Sequence, residues 1–196
     1  DLPWGERILS SFFTAVSPRT AGFNVLPLNG ALRIKEVTLF LTILLMFVGG
    51  SSGSTAGGIK TSTLAALMLS AFSLLRGKRS VECFGRRIDE ENVKSAVQFV
   101  IIYLCFAMLS IVLICLFEED NTLYDVTLTD VVFEVFSAIG TVGLTLGMTP
   151  YLSIGSEIVL SLLMYLGRVG CLTFMLSLRT PNAPAAVLPL EKVRIG

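Results

Sequence analysis

Two short stretches could present a column of backbone oxygens to a bare cation: Thr-Val-Gly-Leu-Thr at 141–145 and Thr-Ala-Gly-Phe-Asn at 20–24. A potassium ion that passes selectively must shed its water, and backbone carbonyls can replace that water. For successive carbonyls to face one axis the chain must alternate between conformations that a Cβ obstructs, and glycine supplies them. A threonine hydroxyl adds a further oxygen, while the apolar residues between turn their side chains away. The candidate ion ligands are Thr20, Ala21, Gly22 and Phe23 in one stretch, and Gly140, Thr141, Val142, Gly143 and Leu144 in the other. K+ at these oxygens is the one metal site the residues suggest.

Other chemistry is poorly supplied. The absence of histidine removes Ser-His-Asp and Cys-His catalysis and the usual zinc sites. Cys83, Cys105, Cys115 and Cys171 stand apart with no CxxC pair, so neither a disulfide framework nor a metal knuckle is suggested. GSTAGGIKT, Gly53 to Thr61, approaches a phosphate-binding G-x-x-x-x-G-K-[ST] loop, but Ile59 separates Gly58 from Lys60. An apolar span precedes it where that loop needs a strand. Catalysis and a cofactor are not expected, and nothing points to nucleic acid.

Apolar residues make up 53% of the chain and charged ones 15%, where soluble domains carry about 25% charged. This is membrane-protein composition. The chain opens at Asp1 without a signal peptide pattern, which reads as a fragment or processed piece. Residues 93–117 and 154–178 are each long enough to cross a bilayer, which takes about 20 apolar residues. Arg168 is the conspicuous fault in the second, placed near mid-membrane. Residues 37–75 are too long for one simple span: as a helix they would extend roughly 58 Å against a hydrocarbon core of about 30 Å. The excess lies in Gly49 to Ser62, where Gly49, Gly50, Gly53, Gly57 and Gly58 each cost a helix about 1 kcal/mol relative to alanine. The span should break there.

The net charge is zero, but the charges are segregated. Arg76, Lys78, Arg79, Arg86 and Arg87 fall in 76–92, and Arg179, Lys192 and Arg194 in the tail 179–196. Glu118, Glu119, Asp120, Asp125 and Asp130 fall in 118–130, with no basic residue. By the positive-inside rule the basic loop and tail face the cytoplasm and 118–130 faces outside. The following stretch is too apolar for a solvated loop, and a helix at 127–139 of about 20 Å is too short to cross. It must dip into the membrane and return through GTVGLT, backbone tolerated at that depth only inside protein or along a watery cavity. A helix lying flat on the membrane is the competing reading.

An internal repeat favours the dip. A shift of 121 residues sets Phe12 on Phe133, Thr20 on Thr141, Gly22 on Gly143, Glu36 on Glu157 and Gly49 on Gly170. The unit is span, dipping helix, Thr-x-Gly return, span. Residues 93–178 hold one complete unit and 1–75 a second that lacks its first span.

SPRTAGFN, GGSSGSTAGGIKTST, SAIGTVGLTLGMTP and YLGRVGCLTF resemble the signatures of the Trk/Ktr/HKT superfamily of potassium transporters, most nearly the membrane subunit of bacterial Ktr systems. TVGLT is a relaxed form of the TVGYG filter of potassium channels. The resemblance implies an all-α transmembrane fold of span–pore helix–filter loop–span repeats, four to a pseudo-fourfold pore. This chain would be the end of the third repeat (1–75), a cytoplasmic loop (76–92), the fourth repeat (93–178) and a cytoplasmic tail (179–196), the C-terminal half of a longer protein. It further implies that Gly22 and Gly143 are the filter glycines. The broken span, with Gly49, Gly50, Gly53, Gly57, Gly58 and Lys60, would form an intramembrane gating loop below the filter, and Arg168 would oppose cation passage there. It implies K+ as transported ion with Na+ a candidate activator, a multi-pass place in the bacterial plasma membrane, a homodimer, and a cytosolic ring of nucleotide-binding regulatory subunits. Read from the residues, glycine and serine backbone cannot hold a helix and swings freely, as a gate requires. Helix packing through Gly53-x-x-x-Gly57 is the alternative. For the chain as a whole the alternative is a secondary transporter of another fold, with Gly-broken helices holding substrate at mid-membrane; it accounts for the broken span and for neither Thr-x-Gly return.

The charge segregation makes a testable statement. Cysteines introduced at Arg79 and Glu119 should react with an impermeant thiol reagent from opposite faces of the membrane; reaction of both from outside in intact cells contradicts the arrangement.

Overall fold

The computed structural model describes residues 3–24, 35–54, 56–77, 81–83, 86–119, 121 and 124–170. Residues 171–178 of the last expected span, the tail with Arg179, Lys192 and Arg194, Cys171, Lys78, Arg79 and Asp120 lie outside them. The described chain is built of helices: α1 (Trp4–Val16), α2 (Glu36–Phe47), α3 (Thr61–Leu75), α4 (Glu90–Phe117), α5 (Leu128–Ile139) and α6 (Ile154–Val169). A two-residue antiparallel pair, β1 (Glu82–Cys83) and β2 (Arg86–Arg87), lies between α3 and α4.

The helix ends follow from local chemistry. At the start of α4 the Asp89 side chain accepts the Glu91 amide, and Glu90 and Glu91 sit in the first turn, where acidic groups complement the helix dipole. α5 opens on a reciprocal cap: Asp130 N–H donates to the Thr127 hydroxyl, and Thr127 N–H donates to the Asp130 carboxylate. Ser153 caps α6 on the Ser156 amide, and Gly170, with φ of 89°, ends it. Arg168 stands in the last turn of α6, which runs to Val169.

α4, with 28 residues, is the one described helix long and apolar enough to cross a membrane; α2 and α3 are apolar but shorter. α4, α5 and α6 pack around one core, in which Tyr103, Ala107 and Ile114 meet Val131, Val135 and Ile139 and close on Leu160 and Leu163. α2 lays Leu39 and Met46 against Phe133 and the residues after α5, namely Val142, Leu144 and Leu146. The outward faces are apolar too: Ile101, Met108, Val112 and Leu116 on α4, Phe40 and Leu41 on α2, and Ile158 and Leu162 on α6 are exposed. α1 buries none of its residues. Such surfaces call for hydrocarbon or protein cover.

One acid of the 118–130 segment is not a solvated charge. Glu118, at the end of α4, is only 4% exposed. Its Oε1 accepts the Ser153 amide (2.9 Å), the Ser153 hydroxyl (2.7 Å) and the Ser156 hydroxyl (2.5 Å), and its Oε2 accepts the Asn121 amide. It ties the end of α4 to the start of α6. Burial opposes ionisation, but the hydrogen bonds from Ser156, Asn121 and Ser153 outweigh it and hold the carboxyl below its ordinary value of 4.5. A lowered folded value means that the stabilisation is present above the unfolded value and is lost as pH falls through the folded one. Glu118→Ala should cost about 1–3 kcal/mol by stripping buried donors of their acceptor. It should also flatten the acid side of the thermal midpoint plotted against pH for the detergent-solubilised protein.

Candidate functional site

The two Thr-x-Gly stretches share an unusual backbone. Thr20 and Thr141 are the two described non-glycine residues with positive φ, 63° and 53°, and the glycines two places on, Gly22 and Gly143, have φ of 72° and 86°. A β-branched residue in the left-handed region is a genuine outlier and needs its surroundings to hold it there. The alternation of left-handed and ordinary residues occurs in both copies, at the offset of 121.

Serines hold the returns. Ser17 and Ser137 each donate the hydroxyl to the carbonyl just past the glycine, Phe23 O in the first copy and Leu144 O in the second (2.6 Å). Each also accepts, on its own carbonyl, the amide of the residue just before the glycine: Ala21 N (3.1 Å) and Val142 N (2.8 Å). This pairing sets Ser17 against Ser137, an offset of 120. Within the short helices it is therefore Phe13, not Phe12, that stands opposite Phe133. The first copy is one residue shorter between the serine and the return. Neither serine was singled out from sequence. A Ser four or five residues before the central Ala or Val was the available signal, masked by a one-residue slip between the copies.

Behind the second return lies a buried acid. Glu134 on α5 is 5% exposed and accepts the hydroxyls of Thr145 and Thr149, the latter at 3.1 Å; the Gly147 amide donates to Thr145 Oγ1 at 2.9 Å. The carboxylate holds the outgoing turn to the helix that enters. Thr14 takes its place in the first copy at the offset of 120 and bonds instead to Ser10 O on its own helix.

The copies meet at their glycines. A methyl built on Gly22 would lie 2.3 Å from the Val142 carbonyl oxygen, so only a glycine permits this approach. Gly143 faces open space, with nothing within 4 Å of a built methyl. Val142 and Leu144 turn their side chains into the core, whereas Ala21 and Phe23 are exposed.

α2 and α3 are separated by a loop pinched at its base. Val48 and Ile59 form a parallel bridge: Gly49 N–H donates to Ile59 O (2.9 Å), Ile59 N–H to Phe47 O (3.2 Å) and Thr61 N–H to Gly50 O (3.2 Å). Gly49 and Gly58 pass so closely that a methyl on Gly49 would fall 2.0 Å from Gly57 O. Ile59, the residue that spoils the phosphate-loop pattern, is fully buried in the α4–α6 core and anchors the stem. Lys60 turns its ammonium onto the loop's own carbonyls, Ser54 O (2.9 Å) and Ala56 O (2.7 Å). Just above the stem the loop touches the second return: Gly57 N–H donates to Thr141 Oγ1 at 3.0 Å. Gly53 is at the open edge with φ of 85°. Beneath lies a cavity of about 720 Å³ lined by Ser54, Lys60, Asn92, Tyr103 and Arg168 among others, which brings Lys60 and Arg168 into one space.

The site residues thus come together as two pinned returns, touching at Gly22 and Val142, with a glycine loop seated on the second and a basic cavity below. The sequence profile of TrkH, a cation transport protein, matches residues 1–184. The chain belongs to this family of cation transport proteins. It is 40% identical over 194 residues to the potassium/sodium uptake protein NtpJ of Enterococcus hirae, covering 97% of this chain and 42% of that protein. It is also 40% identical over 172 residues to Ktr system potassium uptake protein B of Bacillus subtilis (88% and 37%), and 33% identical over 195 residues to the Vibrio alginolyticus protein of the same name (100% and 41%). The chain spans about two-fifths of the length of these relatives, which are named as uptake proteins and not as enzymes.

The serine pins can be tested directly. Ser137→Ala strips the buried Leu144 carbonyl of its hydroxyl donor and should lower stability by about 1–3 kcal/mol, read as the thermal midpoint of the solubilised full-length protein. An unchanged midpoint would mean the pin is ornamental.

Proposed function

We propose that this chain is part of the ion-translocating subunit of a bacterial potassium transport system, passing K+ across the plasma membrane through a selectivity filter with an intramembrane gating loop. The observation that carries the reading is the pair of Thr-x-Gly returns, each with a left-handed threonine and a left-handed glycine two residues apart. Alternation of that kind turns successive carbonyls to one side, as dehydrated K+ requires. Of the expected ligands Phe23 and Leu144 have their carbonyls held by Ser17 and Ser137, so the filter oxygens are those of Thr20, Ala21 and Gly22 and of Gly140, Thr141, Val142 and Gly143. Two returns make half of a fourfold ring, and two further repeats on the same polypeptide complete it. The bare apolar surface of α1 supports such cover.

The loop from Gly49 to Lys60 is the gate: its stem is fixed by Ile59, and Gly57 beside the stem rests against the inner end of the second return. Arg168 adds a fixed positive charge to the cavity beneath, opposing cations that have left the filter. The assembled transporter is a multi-pass homodimer in the bilayer, served by a cytosolic nucleotide-binding regulatory ring. The Ktr system name of two relatives supports a system of several components. The name of the Enterococcus hirae relative, a potassium/sodium uptake protein, keeps Na+ in play as co-transported or activating ion.

The two glycines give a graded test. Gly143→Ser puts a Cβ into open space, so its effect is the backbone strain of φ at 86° alone. It should weaken the preference for K+ over Na+ more than it weakens assembly. Gly22→Ser meets the Val142 carbonyl as well and should lower both selectivity and dimer yield. The measurement is reversal potential or uptake in K+ and Na+, with dimer yield followed in parallel. Wild-type selectivity in an assembled Gly143→Ser protein would reduce these glycines to ordinary turns.

A further inference from the structure

The contact between the loop, beside its stem, and the second return is chemically specific. Gly57 N–H donates to the Thr141 hydroxyl oxygen at 3.0 Å across 84 positions of sequence. The approach has no slack: a methyl on Gly57 would fall 2.4 Å from Thr141 Oγ1 and 2.9 Å from the Gly140 carbonyl oxygen. Thr141 is itself held in its left-handed conformation by three neighbours. Its amide donates to Ala138 O (3.0 Å). Gly167 on α6 leaves room for its methyl, since a Cβ there would stand 3.2 Å from Thr141 Cγ2, and Gly57 sits on its hydroxyl. The loop's remaining hydrogen bonds described above lie within the loop or at its stem: Lys60 holds Ser54 O and Ala56 O, Ser54 Oγ donates to Ser51 O (2.7 Å), and Ser52 meets Ser62.

We propose that the Gly57 amide is a latch on the Thr141 hydroxyl, and that this oxygen serves either the latch or an ion at the inner end of the filter, so that filter occupancy and loop position are coupled. The proposal rests on the filter and gate readings above. A hydroxyl oxygen that accepts an amide hydrogen has a partial positive charge set against it, and the Gly57 backbone fills the space beside Gly140 O that an ion would share. A cation on Thr141 Oγ1 repels the amide and displaces the loop; a seated loop weakens the innermost ion layer. Coupling of this kind is reciprocal. K+ arriving from the filter would thereby help to open the path ahead of it.

The test follows loop position rather than flux. In the full-length protein with its native cysteines replaced, Ser54→Cys reports loop release through its rate of reaction with a charged thiol reagent added from the cytoplasmic side. The rate is compared in K+ and in N-methylglucamine, which is too large for a filter. The rate should rise about fivefold in K+, the weight of one ordinary hydrogen bond, and Thr141→Ser should behave alike. Thr141→Val, which keeps the shape and loses the acceptor, should react fast in both cations. Gly57→Ala substitutes no filter residue, and its methyl, meeting Thr141 Oγ1 and Gly140 O, drives the loop off the return; it should also react fast without K+, and it decides the matter if Thr141→Val fails to assemble. A rate indifferent to K+ in the parent, or slow reaction in both variants, overturns the latch. Deleting Ser51–Gly58 separates the failures: raised flux with a failed latch leaves the loop a gate held in some other way. Unchanged flux together with wild-type selectivity in Gly143→Ser removes the underlying reading as well.

Discussion

Backbone that leaves a helix inside an apolar slab exposes amides and carbonyls that no water satisfies, and each must find a partner within the protein. Much of what is distinctive in this chain answers that demand. The two returns take their hydrogen bonds from Ser17 and Ser137 and from the ends of their own helices. The loop between α2 and α3 closes on itself through the Val48–Ile59 bridge and through the Lys60 ammonium. In the filter reading the carbonyls these bonds leave open are those an ion would use.

The same demand explains the placing of the buried acids. Glu118 gathers the unpaired hydroxyls and amide at the start of α6, and Glu134 gathers two threonines of the outgoing turn. Each is a multiple acceptor at a point where several donors converge, and a carboxylate is the side chain with enough lone pairs for the purpose. In the first copy Thr14 turns to its own helix instead of holding such a turn. Two Thr-x-Gly returns of like backbone are therefore supported by unlike surroundings.

Glycines at the contacts are set by distance more than by flexibility. Gly22 against Val142 O, Gly49 against Gly57 O and Gly167 against Ile139 O are approaches that a methyl would close to about 2 Å. Gly143 is the opposite case, needed for its torsion in otherwise open space. A glycine-rich chain is thus divided between positions that admit a neighbour and positions that turn the backbone.

The residues alone determined the broad architecture, because hydropathy, helix-breaking glycines and charge act locally: a long apolar span at 93–117, within α4, a break in the glycine-rich run from Gly49, a short helix before each Thr-x-Gly return, and membership in a cation transport family. The pairing of Thr20 with Thr141 and Gly22 with Gly143 was also legible, since torsion preference is a property of residue type. Partnership across the chain was not. That Glu118 is a buried tie between α4 and α6, that Ile59 is an anchor, and that Gly57 touches Thr141 all depend on helices brought together from distant parts of the chain. Hydrogen bonds and close contacts of this kind are fixed by distances of a few tenths of an ångström between segments far apart in sequence, and only the packed tertiary structure supplies those distances.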